Sequence, residues 1–290
     1  MDNVTVAVTQ MACTWESEDN IERAENLVRQ AAAAGAHVVL LPELFATPYF
    51  CKDRDEKHLH LAAEANGHPL VTRFARLAAS LGVVLPVSFF ERQADRYYNS
   101  LAMVDADGTV MGVYRKSHIP DGPGYWEKFY FSPGDTGFMV WKTRFGVIGA
   151  GICWDQWFPE AARAMTLAGA NLLLYPTAIG SEPAEPELDT RERWQRVQRG
   201  HAVANAVVLA ASNRVGMEQG QSCGIRFYGS SFVAGPDGSL LAQGDQDSTG
   251  FWLASFSPAE LERTRRSWGF FRDRRPELYG PLLAERSPAS

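Results

Sequence analysis

Short β-branched apolar runs alternate with alanine-rich amphipathic stretches along the first third of the chain. Val4–Val8 is predicted as a strand, and Asn20–Ala34, which keeps apolar positions at helical spacing, as a helix. The alternation continues with strands at Val38–Leu41 and Val83–Phe89, separated by a helix at Leu70–Leu81. This βαβαβ order predicts an α/β fold.

The second half of the chain repeats the residue pattern of the first. Ala34-Gly-Ala-His-Val-Val-Leu-Leu-Pro42 is echoed by Ala168-Gly-Ala-Asn-Leu-Leu-Leu-Tyr-Pro176. A hairpin is predicted from the strands Ser100–Val104 and Thr109–Tyr114 around an Asp-Gly turn, and the segment Asn99–Val110 within it is echoed by Gly229–Leu240. Two such halves bury their sheets best when sheet packs on sheet with the helices outside. Since no Ser/Gly-rich linker divides the halves, we expect one pseudo-symmetric domain over residues 1–290.

Composition narrows the classes of function. The 290 residues carry a formal net charge of −6, and the basic residues are scattered apart from Arg263–Arg266 and Arg272–Arg275, so no nucleic-acid partner is expected. No apolar run reaches about 18 residues and no basic-plus-apolar segment precedes Val4, so no membrane partner is expected. The cysteines show no CxxC spacing. We expect a reduced, cytoplasmic protein that acts on a small molecule.

One cysteine stands at the end of an apolar run. Phe145-Gly-Val-Ile-Gly-Ala-Gly-Ile-Cys-Trp-Asp155 predicts a strand, and Gln156-Trp-Phe-Pro-Glu160 indicates the start of a helix. A thiol at such a turn lies near backbone N–H groups and the positive end of a helix dipole, and both favour the thiolate. Cys153 is therefore a candidate nucleophile, although taken alone it could equally be a buried structural cysteine.

The two halves differ where a reaction would need them to differ. Glu43 follows the first repeated strand, where the second half has Thr177. Lys116 follows the first hairpin, whereas the region near Gln246 after the second is uncharged. Singly, the glutamate could be a solvated strand end and the lysine a surface cation. With Cys153 they suit attack on a carbon bonded to nitrogen, because a carboxylate can take the thiol proton and an ammonium can stabilise the developing oxyanion.

These residues lie in motifs that resemble those of the nitrilase superfamily, also called the carbon–nitrogen hydrolases, whose signature is a Glu-Lys-Cys triad. The motifs are Leu40-Leu-Pro-Glu-Leu44, Tyr114-Arg-Lys-Ser-His118 and Gly151-Ile-Cys-Trp-Asp155, in the family's order. The resemblance runs from Val4 to about Leu283. It implies a four-layer α-β-β-α sandwich with a pseudo-two-fold internal repeat, a C-terminal extension over about 260–290, and a homo-oligomer built on a dimer.

Within the superfamily the chain is most similar to the branch that cleaves N-carbamoylputrescine. The similarity lies in three segments, Tyr114–Tyr125, Tyr175–Pro183 and Trp268–Pro276. It implies hydrolysis of a carbamoyl C–N bond to putrescine, carbon dioxide and ammonia through a covalent intermediate on the catalytic cysteine. It also implies that Glu127 is a second glutamate that positions the lysine and the substrate, and that Trp154 contributes its backbone N–H to the oxyanion site.

An acidic loop predicts the substrate class. The segment from Glu182 to Asp189 follows a strand whose end should lie near the nucleophile. A carbamoylated diamine carries a terminal ammonium that needs a carboxylate, so Glu182 is the expected partner, although the other acids of the loop could be solvated. Aromatic side chains are expected to line the alkyl chain, while such residues are also common in cores. They are Tyr49, Phe50, Tyr125 and Trp126.

Other functions stay open from the residues alone. A different amidase of the superfamily could act on an ω-amide or on a β-ureido acid, whose carboxylate would need a cation. A non-catalytic scaffold could also retain the fold, although the complete triad argues against it. His58-Leu-His60 near Cys51 lacks a further ligand at metal-binding spacing, so no metal and no cofactor are expected.

Overall fold

Strands and helices alternate along the chain, and the predicted α/β class is confirmed. The computed structural model describes residues 3–284. The strands are β1 (Val4–Gln10), β2 (Val38–Leu40), β3 (Leu85–Gln93), β4 (Arg96–Val104), β5 (Val110–Arg115), β6 (Val140–Thr143), β7 (Gly146–Ala150), β8 (Leu172–Pro176), β9 (Val208–Ser212), β10 (Val215–Gln219), β11 (Gly224–Tyr228), β12 (Phe232–Ala234), β13 (Leu240–Gln243) and β14 (Gly250–Phe256). The helices are α1 (Ser17–Ala33), α2 (Pro69–Leu81), α3 (Glu127–Tyr130), α4 (Pro159–Leu167), α5 (Arg191–Asn205) and α6 (Pro258–Trp268).

The elements predicted in the first third are present with different ends. Helix α1 begins earlier than predicted, because Glu18 and Asp19 favour the positive end of the helix dipole. Strand β3 runs beyond Phe89 to Gln93, since it pairs with β4 along its whole length. A local charge effect thus sets the start of α1, whereas tertiary pairing, which propensity does not report, sets the end of β3.

Twelve of the described strands form two large sheets, and β10 and β11 form a separate antiparallel pair. One has the order β13-β12-β9-β8-β7-β6. The other consists of β14-β1-β2 and β3-β4-β5, which meet at a parallel bridge between Val38 and Val84. In both, parallel strands are central and antiparallel strands flank them. The parallel strands are joined by helical crossovers, which such pairings require.

Three apolar clusters hold the sheets and helices together. Val6 and Val8 of β1 share a buried cluster with Leu174 of β8, whereas Ala7 belongs to a second cluster beneath α1 and α2. A third cluster includes Trp194 of α5 together with residues of α4, β8 and β9. Successive residues of a strand point to opposite faces, so neighbouring residues of β1 contribute to different clusters.

Polar bonds join the two sheets where their parallel strands end. The N–H of Glu43, beyond β2, donates to the carbonyl of Thr177, beyond β8, at 3.3 Å. The hydroxyl of Ser212, at the end of β9, donates to the carbonyl of Leu40 at 2.8 Å and accepts from the N–H of Thr9 at 3.0 Å. The residues that follow the strands of both halves therefore meet at one end of the molecule.

The C-terminal segment packs back on the second half. Arg265 of α6 donates to the carbonyls of Ala170 at 2.6 Å and Ala206 at 3.0 Å, just beyond α4 and α5. The extension predicted over about 260–290 is described as far as Ala284, and positions 285–290 lie outside the described residues. Between residues 3 and 284, no helix combines the length and apolar character needed to cross a membrane.

Gly134 packs against the backbone of Arg115 and Lys116, and its N–H donates to the Lys116 carbonyl at 2.8 Å. A Cβ there would lie 2.1 Å from the carbonyl oxygen of Arg115. We expect Gly134→Ala to destabilise the fold by about 1–3 kcal/mol, because backbone cannot move aside cheaply. The matched control is Gly200→Ala in α5, where a Cβ meets nothing within 4 Å. Equal thermal unfolding midpoints for the two variants would contradict this expectation.

Candidate active site

Cys153 occupies a strained turn directly after β7. Its φ is 42°, in the left-handed region, which costs a residue with a side chain roughly 1–2 kcal/mol. It begins a short 3-10 helix, Cys153–Trp157, and α4 starts at Pro159. The residue is 6% exposed and its Sγ lies 3.8 Å from the carbonyl oxygen of Ala178. Strain of this kind persists where the surroundings enforce it, and it clusters at functional sites.

The ammonium of Lys116 lies between two buried carboxylates. Its Nζ is 2.9 Å from Oε1 of Glu43, and 2.8 and 2.6 Å from the two carboxylate oxygens of Glu127. All three side chains are almost completely removed from solvent. Buried charges are tolerated when they are paired and hydrogen-bonded. Since Glu127 and Cys153 line one cavity, the structure brings the four predicted catalytic residues together.

Neutral side chains hold the two carboxylates in place. The amide of Asn99 donates to Oε1 of Glu43 at 2.6 Å, and the hydroxyl of Tyr49 donates to Oε1 of Glu127 at 2.6 Å. Oε2 of Glu43 is buried and has no hydrogen-bond partner among residues 3–284. One oxygen of Glu43 is therefore engaged and the other is available to accept a proton.

Burial controls the protonation of these groups. It raises the pKa of the Cys153 thiol well above its usual range, Glu43 adds to that effect, and Lys116 opposes it. The prediction that the turn favours a thiolate is therefore wrong for the free protein, because a short 3-10 turn does not offset burial. Burial also raises the pKa of Glu127 to about 7, against the lowering effect of Lys116. For Lys116 burial acts in the opposite sense, but the Glu127 and Glu43 carboxylates raise its pKa well above the usual value and keep it an ammonium.

Asp155 joins the segment that carries the lysine to the turn that carries the cysteine. Its buried carboxylate accepts from the Tyr114 hydroxyl at 2.8 Å and from the N–H of Ile152 at 2.9 Å. It also accepts from the backbone N–H of His118 at 3.0 Å, and Nδ1 of that ring lies 2.7 Å from it. The sequence motifs contain this residue, but only the contacts reveal its part in the site.

A cavity of about 200 Å³ lies beside the thiol. The predicted residues that line it are Glu127, Cys153, Trp154, Tyr125 and Glu182, and further lining residues include Asp121, Trp157 and Ile179. Its charged lining groups are all carboxyls, and no Lys, Arg or His of the described chain is among them. A cavity with apolar walls and a few convergent carboxyls suits a small cationic ligand.

Three aromatic residues predicted for the cavity lie elsewhere. Tyr49 is fully buried and holds Glu127 instead of lining the cavity. Phe50 stacks on Phe90 with ring centroids 5.2 Å apart. Trp126 lies against the guanidinium of Arg54, 3.7 Å from its ring centre. Tyr49 is engaged by a hydrogen bond, and the other two rings pack on an aromatic ring and on a cation outside the cavity.

Tyr125 and Glu182, by contrast, lie where they were expected. The Tyr125 hydroxyl accepts from the N–H of Gly180 at 3.1 Å and donates to the carbonyl of Ser181 at 3.2 Å, which anchors the chain before Glu182. Glu182 is half-buried, and burial raises its pKa, with a further contribution from Glu185. Across residues 3–284, no group of three His, Cys, Asp or Glu side chains is arranged to hold a metal ion.

Comparisons with known proteins identify the class of protein to which the chain belongs. A family model described as carbon-nitrogen hydrolase matches residues 5–266. The chain is 54% identical over 285 residues to a protein named N-carbamoylputrescine amidase from Arabidopsis thaliana, which covers 97% of this chain and 95% of that protein. The chain therefore belongs to the carbon–nitrogen hydrolase family, and the predicted superfamily is confirmed. It is an enzyme that hydrolyses carbon–nitrogen bonds.

Two further similarities bear on substrate and fold. A protein named citrullinase from Francisella tularensis is 50% identical over 283 residues, covering 98% of this chain and 99% of that protein. The crystal structure of a carbon-nitrogen hydrolase from Helicobacter pylori G27 matches with a TM-score of 0.92 and 40% identity, covering 98% of this chain and 100% of that one. The similarity thus extends through almost the whole length of each chain.

Because burial raises the pKa of the Cys153 thiol, its reaction with a small neutral thiol reagent should be slow at neutral pH and accelerate steadily as pH rises. We expect the rate of modification by methyl methanethiosulfonate, followed by peptide mass spectrometry, to keep rising beyond about pH 10, where an ordinary thiol with a pKa of about 8.5 has levelled off. Cys153→Ser identifies the modified site. A rate that levels off below about pH 7 would show that the free protein holds a thiolate.

Proposed function

We propose that the enzyme hydrolyses the carbamoyl C–N bond of N-carbamoylputrescine and releases putrescine, carbon dioxide and ammonia. The observation that carries this proposal is the cavity beside Cys153, whose charged lining groups are Asp121, Glu127 and Glu182. A substrate with a terminal ammonium is complementary to such a cavity, and a carboxylate is not. The similarity to an N-carbamoylputrescine amidase supports the same substrate.

Glu43 is the proposed general base. Its free Oε2 accepts the thiol proton as the sulfur of Cys153 attacks the ureido carbon. Because the pKa of the buried thiol is high, the thiolate forms as the proton is transferred and is not stored beforehand. This role makes deprotonation part of the attack.

Lys116 and the backbone N–H of Trp154 would stabilise the oxyanion. The ammonium remains charged because Glu127 and Glu43 flank it, and its position is fixed by three short contacts within the buried cluster. In many acyl-transfer enzymes, hydrogen-bond donors fixed in a site without water make the largest contribution to the rate enhancement. Glu127, itself held by the Tyr49 hydroxyl, is proposed to position the lysine.

Breakdown of the tetrahedral intermediate completes the first half of the reaction. Protonated Glu43 gives its proton to the leaving nitrogen, the C–N bond breaks, and an S-carbamoyl thioester remains on Cys153. Glu43 then takes a proton from water, whose oxygen attacks the thioester carbon. The C–S bond breaks, the proton returns to the sulfur, and a carbamic acid is released. This acid loses carbon dioxide, which breaks the second C–N bond and frees the remaining amine.

The site is proposed to lie in a four-layer α-β-β-α sandwich with a pseudo-two-fold internal repeat. The strand orders β14-β1-β2-β3-β4-β5 and β6-β7-β8-β9-β12-β13 correspond between the halves and support it. The apolar clusters between the sheets and beneath the helices support the layers. A single domain over 1–290, a cytoplasmic location and a homo-oligomer built on a dimer stay predictions.

A substrate that also carries a carboxylate is the second candidate. Similarity to a citrullinase favours citrulline, and a β-ureido acid belongs to the same class. Such a substrate needs a cation near the cavity, and the described lining residues provide none. A non-catalytic scaffold is disfavoured, since a scaffold has no use for a costly buried cluster of Glu43, Lys116 and Glu127.

The deciding experiment compares turnover of N-carbamoylputrescine, citrulline and N-carbamoyl-β-alanine. We expect kcat/KM for N-carbamoylputrescine to exceed the other two by at least about 100-fold, because each carboxylate would face unpaired acids. Cys153→Ala should abolish turnover, whereas Cys13→Ala, at a buried cysteine beyond β1, should not. Substantial activity of Cys153→Ala would refute the mechanism, and a preference for citrulline would reassign the substrate.

Glu182 is the proposed partner of the substrate ammonium. Glu182→Gln should raise KM for N-carbamoylputrescine at least about tenfold, because a charge-assisted bond is lost. For N-butylurea, which has the same alkyl length and no ammonium, KM should change less than about twofold. Glu185→Gln is the matched control at an exposed acid of the same loop. Equal effects of Glu182→Gln on both substrates would assign the ammonium to another group.

A further inference from the structure

Arg214 and Glu218 form an ion pair buried beneath the loop that carries Glu43. Nη1 of Arg214 is 2.7 Å from Oε1 of Glu218, and the two side chains are 0% and 5% exposed. Arg214 directly precedes β10, and Glu218 lies within it on the same face, since residues at even spacing in a strand share a face. Neither residue lines the cavity beside Cys153, so neither is placed to touch the substrate.

The guanidinium of Arg214 binds three carbonyls of one short loop. Nη2 donates to the carbonyl of Glu43 at 2.7 Å and to that of Leu44 at 3.2 Å, and Nη1 donates to that of Thr47 at 3.2 Å. Leu44 has a φ of 48°, in the left-handed region. A strained residue of this kind persists only where its surroundings enforce it. Arg214 is thus one of the groups that hold the backbone of the proposed base.

The second oxygen of Glu218 extends the same support to Glu127. Oε2 of Glu218 accepts from the N–H of Tyr49 at 2.6 Å, and the Tyr49 hydroxyl donates to Glu127 at 2.6 Å. Lys52 donates to the carbonyl of Tyr49 at 3.0 Å and lies 3.5 Å from Glu218. One ion pair therefore reaches the backbone of Glu43 on one side and of Tyr49 on the other.

The chemistry of an arginine explains why this position carries one. Its planar fork can bind a carboxylate and several carbonyls at fixed angles, whereas a lysine ammonium is a single point charge. Within this network of contacts the buried charges also balance, because three acids accompany three cations. They are Glu43, Glu127 and Glu218 with Lys116, Arg214 and Lys52.

We infer that Arg214 and Glu218 are positioning residues for the hydrolysis. They hold the backbones of Glu43 and Tyr49, and through these they set the direction of the base and the placement of the Glu127–Lys116 pair. The inference rests on the proposed function, in which Glu43 is the base. Because a displacement of about 1 Å can cost about 100-fold in rate, loss of either residue should lower kcat and leave KM nearly unchanged.

The first test is Arg214→Lys, with Arg265→Lys as the matched control. Arg265 also donates to two backbone carbonyls, and it lies away from the cavity. We expect Arg214→Lys to lower kcat for N-carbamoylputrescine at least about tenfold with KM within about threefold, and Arg265→Lys to leave both within about twofold. Both are assayed below the lower of their unfolding midpoints. An equal kcat in the two variants would overturn the inference.

Glu218→Gln is the second variant, for the case that Arg214→Lys does not fold. The substitution keeps the side-chain volume but leaves one acceptor oxygen, whereas both carboxylate oxygens of Glu218 accept hydrogen bonds in the structure. We therefore expect kcat to fall again and KM to stay nearly unchanged. Glu43→Gln distinguishes a failure of the proposed function from a failure of the positioning role. Wild-type activity in Glu43→Gln would refute the base and hence the proposed function. Loss of activity in Glu43→Gln, with full kcat in Glu218→Gln, would refute the positioning role alone.

Discussion

The ammonium of Lys116, held between the carboxylates of Glu43 and Glu127, is the interaction on which the site depends. Two carboxylates in a buried position would repel each other and take up protons unless a cation lay between them. An isolated buried ammonium would likewise lose its proton. The three groups are stable only together, so every element that carries one of them must be placed accurately. The polar bonds at Thr177 and Ser212 place the segment of Glu43. The bond from the Lys116 N–H to the Asn99 carbonyl places the lysine, and the bond from the Trp126 N–H to the Cys51 carbonyl lies directly before Glu127.

Burial favours the neutral form of both Cys153 and Lys116, but the neighbouring acids overcome it at the lysine. It keeps the Cys153 thiol protonated, while the flanking acids keep Lys116 charged. The enzyme thus holds a neutral nucleophile next to a permanent cation, and charge develops only when the sulfur attacks. Both chain segments that supply reacting groups pass through left-handed residues, Leu44 beside the base and Cys153 itself. At both points the strained backbone gives the side chains a direction that a regular strand end would not give them.

Some residues of the site could be identified from the sequence, and others could not. Glu43, Lys116 and Cys153 were identifiable because each lies in a short motif beside a predicted strand or hairpin, and because the second half lacks the acid and the base. Phe50 and Trp126 were placed in the cavity incorrectly, since aromatic spacing does not distinguish a cavity wall from a core. Asp155 and Arg214 gave no signal of their own, because their importance lies in contacts with residues far away in the chain.

The sequence by itself determined the α/β class and the short motifs that carry the candidate reacting side chains, because these depend on local periodicity and on residue chemistry. Only the tertiary structure decided that burial raises the pKa of the Cys153 thiol, that Tyr49 supports Glu127 instead of lining the cavity, and that Arg214 holds the loop of Glu43. Proton affinity depends on burial and on the charges that surround a group, and both arise only when distant segments pack together.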